Sequence, residues 1–251
     1  MENCDIREFL THFAEKYENI SFLDEDPSRF MHQVSGTKNR ETTAFIASAL
    51  SYGNRMQFCK KISTILTYAD YDTFKWIVNR DYLSYFPDNN TYFYRLYTSR
   101  HLRLFLSRIE DMLKEFGSIG EFAKVKVCDQ NPLSIIEAIT DYFKDIDSPV
   151  IPKSTSSACK RLCMFLRWMI RDNSPVDLGL WSEFADKRKL IIPMDTHVLT
   201  QARRLGLISS RTASMAAAIK LSNTLATVFP CDPMKGDFAL FGYGVSVGND
   251  K

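Results

Sequence analysis

Apolar residues recur along most of the chain at the three- and four-residue spacing of amphipathic helices. The clearest stripes lie at 45–50, 62–69, 102–113, 135–143, 162–169, 198–205 and 215–226. Gly117 and Gly206 follow two of them, and Asn131-Pro132 precedes another in the manner of a cap followed by a first-turn proline. The alternation of apolar and polar residues that is typical of strands is almost absent. The pattern therefore predicts an all-α protein.

Two polar breaks interrupt this pattern in the second half of the chain, at 149–157 and 172–175. Both contain proline, which favours turns between helices. A last short helix is predicted from Asp232-Pro233 to Phe241, with Gly242 and Gly244 ending it. Because the helices flanking the breaks are short and amphipathic, they need a shared core. We therefore predict a single helical unit over residues 1–251.

The composition is that of a globular protein, with 45% hydrophobic and 25% charged residues in a chain of 251. It excludes collagen-like and disordered classes. The longest stretch without a charged residue, Thr42–Asn54, has 13 residues, which is too short to span a bilayer. The first ten residues carry acids and no apolar run, unlike a secretory signal. We expect a cytoplasmic monomer that does not enter a membrane.

The net charge of +2 does not by itself indicate nucleic-acid binding, but the charges are unevenly placed. Residues 148–171 contain no acid and carry five cations: Lys153, Lys160, Arg161, Arg167 and Arg171. A second acid-free stretch, 89–109, carries Arg95, Arg100, His101, Arg103 and Arg108. Both stretches can be solvated helix faces, or they can flank a polyanion. Because Lys160, Arg167 and Arg171 share a helical face, we predict a basic rim along a cleft.

Cysteine and histidine placement gives no indication of a metal or a cofactor. Six cysteines without a secretory signal do not make a disulfide framework. Cys159 and Cys163 are neighbours on a helix, but no second pair completes a metal site. The chain has no phosphate-binding glycine motif and no four-cysteine run for an iron–sulfur cluster. We expect no metal and no cofactor.

Two helix starts carry candidate chemistry. Ser156 or Ser157 is predicted to cap a helix whose first turn holds Lys160, and Asp195 is predicted to cap another. Aspartate is among the best N-caps, so a bond to a backbone amide fully explains Asp195. A lysine at position 160 is equally explained as a solvated side chain. From the residues alone, both the structural and the catalytic interpretation stay open.

Residues 152–207 resemble the helix–hairpin–helix and catalytic-aspartate region of the DNA glycosylase superfamily, which includes endonuclease III and the oxidised-guanine glycosylases. The residues that carry the resemblance are Ile151-Pro152, Ala158-Cys159-Lys160-Arg161-Leu162, Ile192-Pro193-Met194-Asp195-Thr196-His197-Val198 and 203–207. Residues 43–52 are similar to the superfamily's early helix, which ends in a Leu-Ser turn lining the cleft. The segments 157–161, 165–169, 177–181 and 237–241 are similar to one bacterial branch of the superfamily, over about 22–245.

The resemblance implies a glycosylase-like helical fold with a hairpin element at about 135–171 and the catalytic-aspartate helix start at about 190–207. It implies a base-excision glycosylase, able also to act as an abasic-site lyase, on duplex DNA with a damaged base. Lys160 is then the amine nucleophile, and Asp195 stabilises oxocarbenium character and assists proton transfer. The residues implied to hold phosphates are Lys153, Ser154, Thr155, Ser156, Arg161 and Arg167. No cofactor is required.

This chain departs from the superfamily in two respects. Residues 153–157, in the hairpin, contain no glycine, so the usual backbone nest for a phosphate or a monovalent cation is in doubt. Lys160 and Asp195 are 35 residues apart, which is further than in endonuclease III, and residues 172–189 between them are interpreted as an insertion. We expect its Trp181 to fill the core, with the lining of a base pocket as the alternative.

Two other functions stay open: a non-catalytic module of the same fold that binds damaged or branched nucleic acid, and a helical scaffold with an unrelated partner.

Asp237 stands next to the apolar residues 238–241. Because burying an unpaired carboxylate is costly, we expect Asp237 to bond backbone amides or an arginine and to serve structure.

Overall fold

Helices make up almost all of the regular structure in the computed structural model, which describes residues 3–127, 129 and 131–249. The helices are α1 (Asn3–Tyr17), α2 (Arg29–His32), α3 (Thr37–Leu50), α4 (Arg55–Tyr68), α5 (Thr73–Val78), α6 (Ser99–Phe116), α7 (Ile119–Lys126), α8 (Pro132–Phe143), α9 (Lys160–Ile170), α10 (Thr196–Arg204), α11 (Met215–Val228) and α12 (Lys235–Asn249). Short 3-10 helices lie at Ile20–Asp24, Asp81–Ser84 and Lys187–Lys189. Two antiparallel strands, β1 (Tyr92–Tyr94) and β2 (Tyr97–Thr98), form a hairpin. The prediction of an all-α protein is confirmed at the level of class.

The described residues divide into two compact units, each built from more than one stretch of the chain. The first unit takes the described residues of Met1–Asp24, Asn131–Leu133 and Thr155–Lys251. The second takes those of Glu25–Gln130 and Ser134–Ser154. Hydrophobic periodicity did not indicate this division, because it reports on single helices. That residues 1–251 fold as one unit stays a prediction.

In the second unit the core forms around three aromatic rings. Phe45 of α3, Phe105 of α6 and Phe143 of α8 lie with ring centroids 5.8–5.9 Å apart. Thr98 caps α6 reciprocally with His101, and Gly117 ends it with a left-handed φ of 83°. The end predicted at Gly117 is confirmed, since glycine adopts positive φ without steric cost.

In the first unit α9 is buried on all sides from Leu162 to Ile170. Trp181 is 1% exposed and meets Phe165 edge to face, with centroids 5.3 Å apart. The prediction that Trp181 fills the core is confirmed. Its large apolar ring completes the packing around α9.

The predicted end of the last helix is wrong, because α12 continues through Gly242 and Gly244 to Asn249. A Cβ added at Gly242 would overlap the ring of Tyr17 on α1. The glycine therefore permits close packing of two helices rather than a helix end. Edge-to-face contacts between Tyr17 and Phe241 and between Phe9 and Tyr243 complete the packing of α1 on α12.

Within the described residues, no helix combines the length and the apolar character needed to cross a membrane. Among the described side chains, Cys59, Cys159, Cys163 and Cys231 are not joined in disulfides. Cys4 and Cys128 lie outside the described side chains.

Candidate active site

The residue that precedes α9 has an unusual backbone conformation. Cys159, the residue before the helix, is buried and left-handed, with φ 44° and ψ 39°, and its side chain makes no capping bond. Instead the Ser157 hydroxyl accepts a hydrogen bond from the Cys159 amide at 3.4 Å. The prediction that Ser156 or Ser157 caps this helix is wrong, because the residue at the N-cap position is Cys159. Lys160 is therefore the first residue of α9, and its side chain is 38% exposed.

Asp195 is the N-cap of α10, as predicted. Its Oδ1 accepts hydrogen bonds from the amides of His197 and Val198, both at 2.9 Å. The preceding extended segment is held in the core, where Ile192 is fully buried and its amide donates to the Ser222 hydroxyl at 2.8 Å. Capping uses one carboxylate oxygen of Asp195 and leaves Oδ2 for a second partner.

That second partner is Lys160. Its Nζ lies 2.7 Å from Oδ2 of Asp195, although the two residues are 35 positions apart in the chain. Burial raises the pKa of Asp195, but the Lys160 ammonium, the Val198 amide and His197 outweigh burial, so the pKa lies below its usual range. The first unit therefore contains a half-exposed ion pair at the N-termini of α9 and α10, where the helix dipoles favour negative charge.

The lowered pKa of Asp195 predicts a pH dependence of stability. A carboxyl whose pKa is depressed by folding contributes stability above its unfolded-state pKa of about 3.9, and this contribution is lost as pH falls through the folded-state pKa. We expect Asp195→Asn, which keeps the cap but does not titrate, to lower the free energy of unfolding at pH 7. Urea titrations should show this difference shrinking towards about pH 3. A difference that stays constant across this range would contradict the prediction.

Arg167 and Arg171 do not form the predicted basic rim. Arg167 is 5% exposed, its Nε lies 3.2 Å from Asp177, and its Nη1 donates to Asp237. Arg171 is 1% exposed and pairs with Asp177 at 2.9 Å, Asp232 at 2.7 Å and Glu18 at 2.6 Å. The prediction was wrong because it considered only acids within 148–171.

This correction removes Arg167 from the surface on which it was predicted to hold a phosphate. The sequence did not identify Glu18, Asp177 and Asp232 as members of a buried charge network with Arg167 and Arg171. Glu18 and Asp232 pair with Arg171 from distant segments, and helical periodicity does not show that Asp177, six positions after Arg171, folds back onto it. Asp177 lies within a segment that carried the family resemblance, and this was the only available signal.

Asp237 has the arginine partner that was expected, since it accepts a hydrogen bond from Arg167. Burial raises its pKa, the charges of Arg167 and Lys160 lower it, and the charge of Asp195 adds to the rise, so the pKa lies above its usual range. The pKa of Asp237 thus depends on Arg167 in the buried network and, to a smaller extent, on the half-exposed Lys160–Asp195 pair.

The other predicted phosphate-binding residues differ in their contacts and in their exposure. The Lys153 ammonium donates to the carbonyls of Phe143, Lys144 (2.7 Å) and Ile146 at the end of α8, which commits its three donors to the protein. In the second unit, Ser154 is exposed. Ser156 of the first unit is exposed, whereas Thr155 and Arg161 are half-buried. Phosphate binding by these four residues stays a prediction.

The described side chains contain no group of three or more histidines, cysteines, aspartates and glutamates suited to hold a metal ion. Beside Lys160, burial raises the pKa of the Cys159 and Cys163 thiols. A raised thiol pKa disfavours the thiolate, which is the form that binds metals and attacks electrophiles. The amine of Lys160 and the carboxylate of Asp195 remain the candidate reacting groups of this site.

A comparison with known protein families gives a match over most of the chain. Residues 26–246 match the family described as "Protein of unknown function (DUF2400)", and this range contains both Lys160 and Asp195. Neither the curated proteins nor the solved structures contain a significant match to the chain. Since the match spans most of the 251 residues, the chain belongs to the DUF2400 family.

Proposed function

We propose that this protein acts in DNA repair as a base-excision DNA glycosylase with a helix–hairpin–helix fold, and that it can also act as an abasic-site lyase through Lys160. One observation carries the proposal: Nζ of Lys160 and Oδ2 of Asp195 are 2.7 Å apart. These are the two residues to which the glycosylase resemblance assigns the reaction. Local chain geometry does not require residues 35 positions apart to meet, so their proximity supports the proposal.

The reaction follows from the two groups. A flipped nucleotide places its sugar between them, and the ion pair opens. The Lys160 ammonium passes a proton to Asp195, and the resulting amine attacks the anomeric carbon as the N-glycosidic bond breaks. Asp195 gives its proton to the departing base and is ionised again. A second proton moves from the nitrogen to the ring oxygen as the sugar ring opens, which leaves a protonated Schiff base. Asp195, whose pKa is lowered, is ionised at neutral pH and stabilises the positive charge that develops on the sugar.

The helix termini assist binding of the substrate backbone. Lys160 begins the 11-residue α9, and Asp195 caps the 9-residue α10. Backbone N–H groups at a helix start carry partial positive charge and attract phosphate. With Arg167 and Lys153 committed to internal contacts, the remaining proposed phosphate contacts are Ser154, Thr155, Ser156 and Arg161.

The experiment incubates the full chain with duplexes that each carry one defined lesion (an abasic site or an oxidised, deaminated or alkylated base) and adds borohydride. Borohydride reduces a Schiff base to a stable covalent adduct, so the proposal expects a protein–DNA band on at least the abasic duplex. An undamaged duplex and a reaction without borohydride are the controls. Binding without any adduct or base release on the whole panel would overturn the enzymatic proposal.

The ion pair itself favours one second candidate, a non-catalytic DNA-binding module. As observed, Lys160 and Asp195 satisfy each other, as they would in a bridge that only joins α9 to α10. A module of this kind would bind damaged duplexes with an affinity that depends on salt, and would release no base. The same lesion panel separates the two candidates.

Replacement of Asp195 distinguishes its chemical role from its capping role. Asparagine also caps helices well, so Asp195→Asn should stay folded and lose only the stability of the ion pair, but it should slow excision by about 100-fold, in the range of acid–base and electrostatic contributions. Asp195→Ala should be about 1 kcal/mol less stable than Asp195→Asn, because it loses the cap as well as the charge. Single-turnover excision and thermal unfolding measure the two effects. Unchanged excision by Asp195→Asn would exclude Asp195 from the reaction.

A further inference from the structure

In the second unit, two stretches without acids come together. Residues 42–69 and 89–109 contain no aspartate or glutamate. The Tyr94 hydroxyl donates to the Tyr52 carbonyl at 2.5 Å, and the Arg95 guanidinium lies 5.1 Å from the centre of the Tyr52 ring. The Lys61 ammonium lies 4.7 Å from the centre of the Phe93 ring. The β1–β2 hairpin thus packs against α4 and the loop that precedes it.

The conformation of the hairpin turn places the side chain of Arg95 beside Tyr52 and Gly53. Arg95 occupies the turn in a left-handed conformation, with φ 49°. Its side chain extends over Gly53, where an added Cβ would lie 2.7 Å from Nη1 of Arg95. Gly53, with φ 86°, therefore makes room for the guanidinium beside Tyr52.

This region combines exposed apolar groups with unneutralised cations. Tyr92 is 73%, Leu96 64% and Tyr52 41% exposed. Arg95 and Lys61 form no ion pair with a carboxylate in the part of the chain that the structure describes. We call Tyr52, Lys61, Tyr92, Arg95 and Leu96 the hairpin surface.

The acidic residue that precedes the hairpin does not neutralise the positive charge of the hairpin surface. Asp88, just before the hairpin, is paired with Arg100 at 2.9 Å. Exposed large apolar side chains are costly to leave in water, and a group of them beside free cations indicates a binding surface.

We infer that the hairpin surface binds nucleic acid and contacts unpaired bases. Lys61 and Arg95 supply charge for the phosphates, Tyr52 and Tyr92 supply aromatic faces on which bases stack, and Leu96 adds an apolar contact. An arginine beside an aromatic ring is itself a stacking partner for a base. The inference rests on the proposed function for the class of ligand, and it assigns that ligand a contact surface outside the Lys160–Asp195 pair.

The test measures binding by fluorescence anisotropy with a labelled oligothymidylate and a labelled abasic duplex. Lys61→Gln combined with Arg95→Gln should weaken binding to the single strand at least tenfold. The combination should also lower the slope of log affinity against log salt by about 1.4, the value for two lost phosphate contacts on a single strand. Tyr92→Ala should weaken single-strand binding about fivefold or more without changing that slope, and Leu96→Ala should weaken it less, also without changing the slope.

Lys38→Gln is the matched control. Lys38 is exposed, belongs to the same unit and lies 5.4 Å from the centre of the Phe74 ring, as Lys61 does beside Phe93. It lies at the other end of α3, about 20 Å along the helix from the Tyr52 loop. This control should leave the affinity and the salt slope unchanged, and circular dichroism should show native helix content in every variant.

Outcomes separate this inference from the proposed function. Wild-type affinity in all hairpin variants, together with borohydride trapping by the same proteins, would overturn the hairpin surface and leave the proposed function standing. Equal competition by polyglutamate and oligothymidylate at matched charge would also overturn it, since the surface would then fit an acidic protein. Loss of single-strand affinity in the hairpin variants of a protein that gives no adduct would support the surface and reject the enzymatic proposal.

Discussion

Lys160→Arg is expected to abolish borohydride trapping on abasic DNA while keeping duplex affinity within about twofold, since the charge of the side chain is kept. Arginine retains the positive charge and can still pair with Asp195, but its guanidinium is effectively always protonated and does not act as an amine nucleophile. The variant therefore removes the chemistry and preserves the ion pair. Trapping is measured at several enzyme concentrations on one abasic duplex, and affinity on the same duplex by anisotropy.

Lys187→Arg is the control for this prediction. Lys187 belongs to the same unit and pairs with Asp172 at 2.5 Å, with side chains 26% and 42% exposed. It resembles the Lys160 pair in exposure, but the glycosylase resemblance assigns it no role. Trapping by Lys187→Arg should equal that of the wild type. If Lys160→Arg still formed the adduct at the wild-type rate, the nucleophile would be another residue.

Asp177→Ala is expected to lower the free energy of unfolding by about 3–5 kcal/mol, the usual cost of removing one partner from a buried ion pair. Asp177 is fully buried and is shared by Arg167 and Arg171, through Oδ1 at 3.2 Å and Oδ2 at 2.9 Å. Its removal leaves the positive charges of two buried guanidinium groups incompletely neutralised. Urea unfolding at neutral pH measures the effect.

Asp172→Ala is the matched control, because it removes a carboxylate from an ion pair that is partly exposed. Such pairs contribute only about 0–1 kcal/mol, so the loss should be small. If Asp177→Ala does not fold, Asp177→Asn gives the same test, since it keeps the shape but removes the charge. A loss below about 1 kcal/mol for Asp177→Asn would contradict the central place of Asp177 in the buried network.

The network explains how segments distant in sequence are held together in the first unit. Glu18 follows α1, Asp177 follows α9 and Asp232 precedes α12, and all three carboxylates meet at Arg171. Burial lowers the pKa of Arg171, but Asp232, Asp177 and Glu18 together raise it, so the charged form is favoured. Removing the Asp177 carboxylate leaves the buried positive charges of Arg167 and Arg171 incompletely neutralised. For this reason we expect a large loss in the free energy of unfolding.

Local features of the chain could be read from the sequence by itself. Seven helical stripes, the Asp195 cap and the end of α6 at Gly117 were predicted, and each depends on residues within about four positions. The identity of Lys160 and Asp195 as candidates came from a family resemblance, since their spacing alone left both interpretations open.

Contacts between distant segments were decided only by the tertiary structure. Arg167 and Arg171 looked like surface cations because the acids that neutralise them stand outside 148–171, as far away as Asp237. Gly242 looked like a helix end, but the ring of Tyr17 packs where its side chain would be. Periodicity and capping act between neighbours along the chain, whereas charge pairing and close packing depend on which elements meet in space, and a single sequence does not encode that in any local pattern.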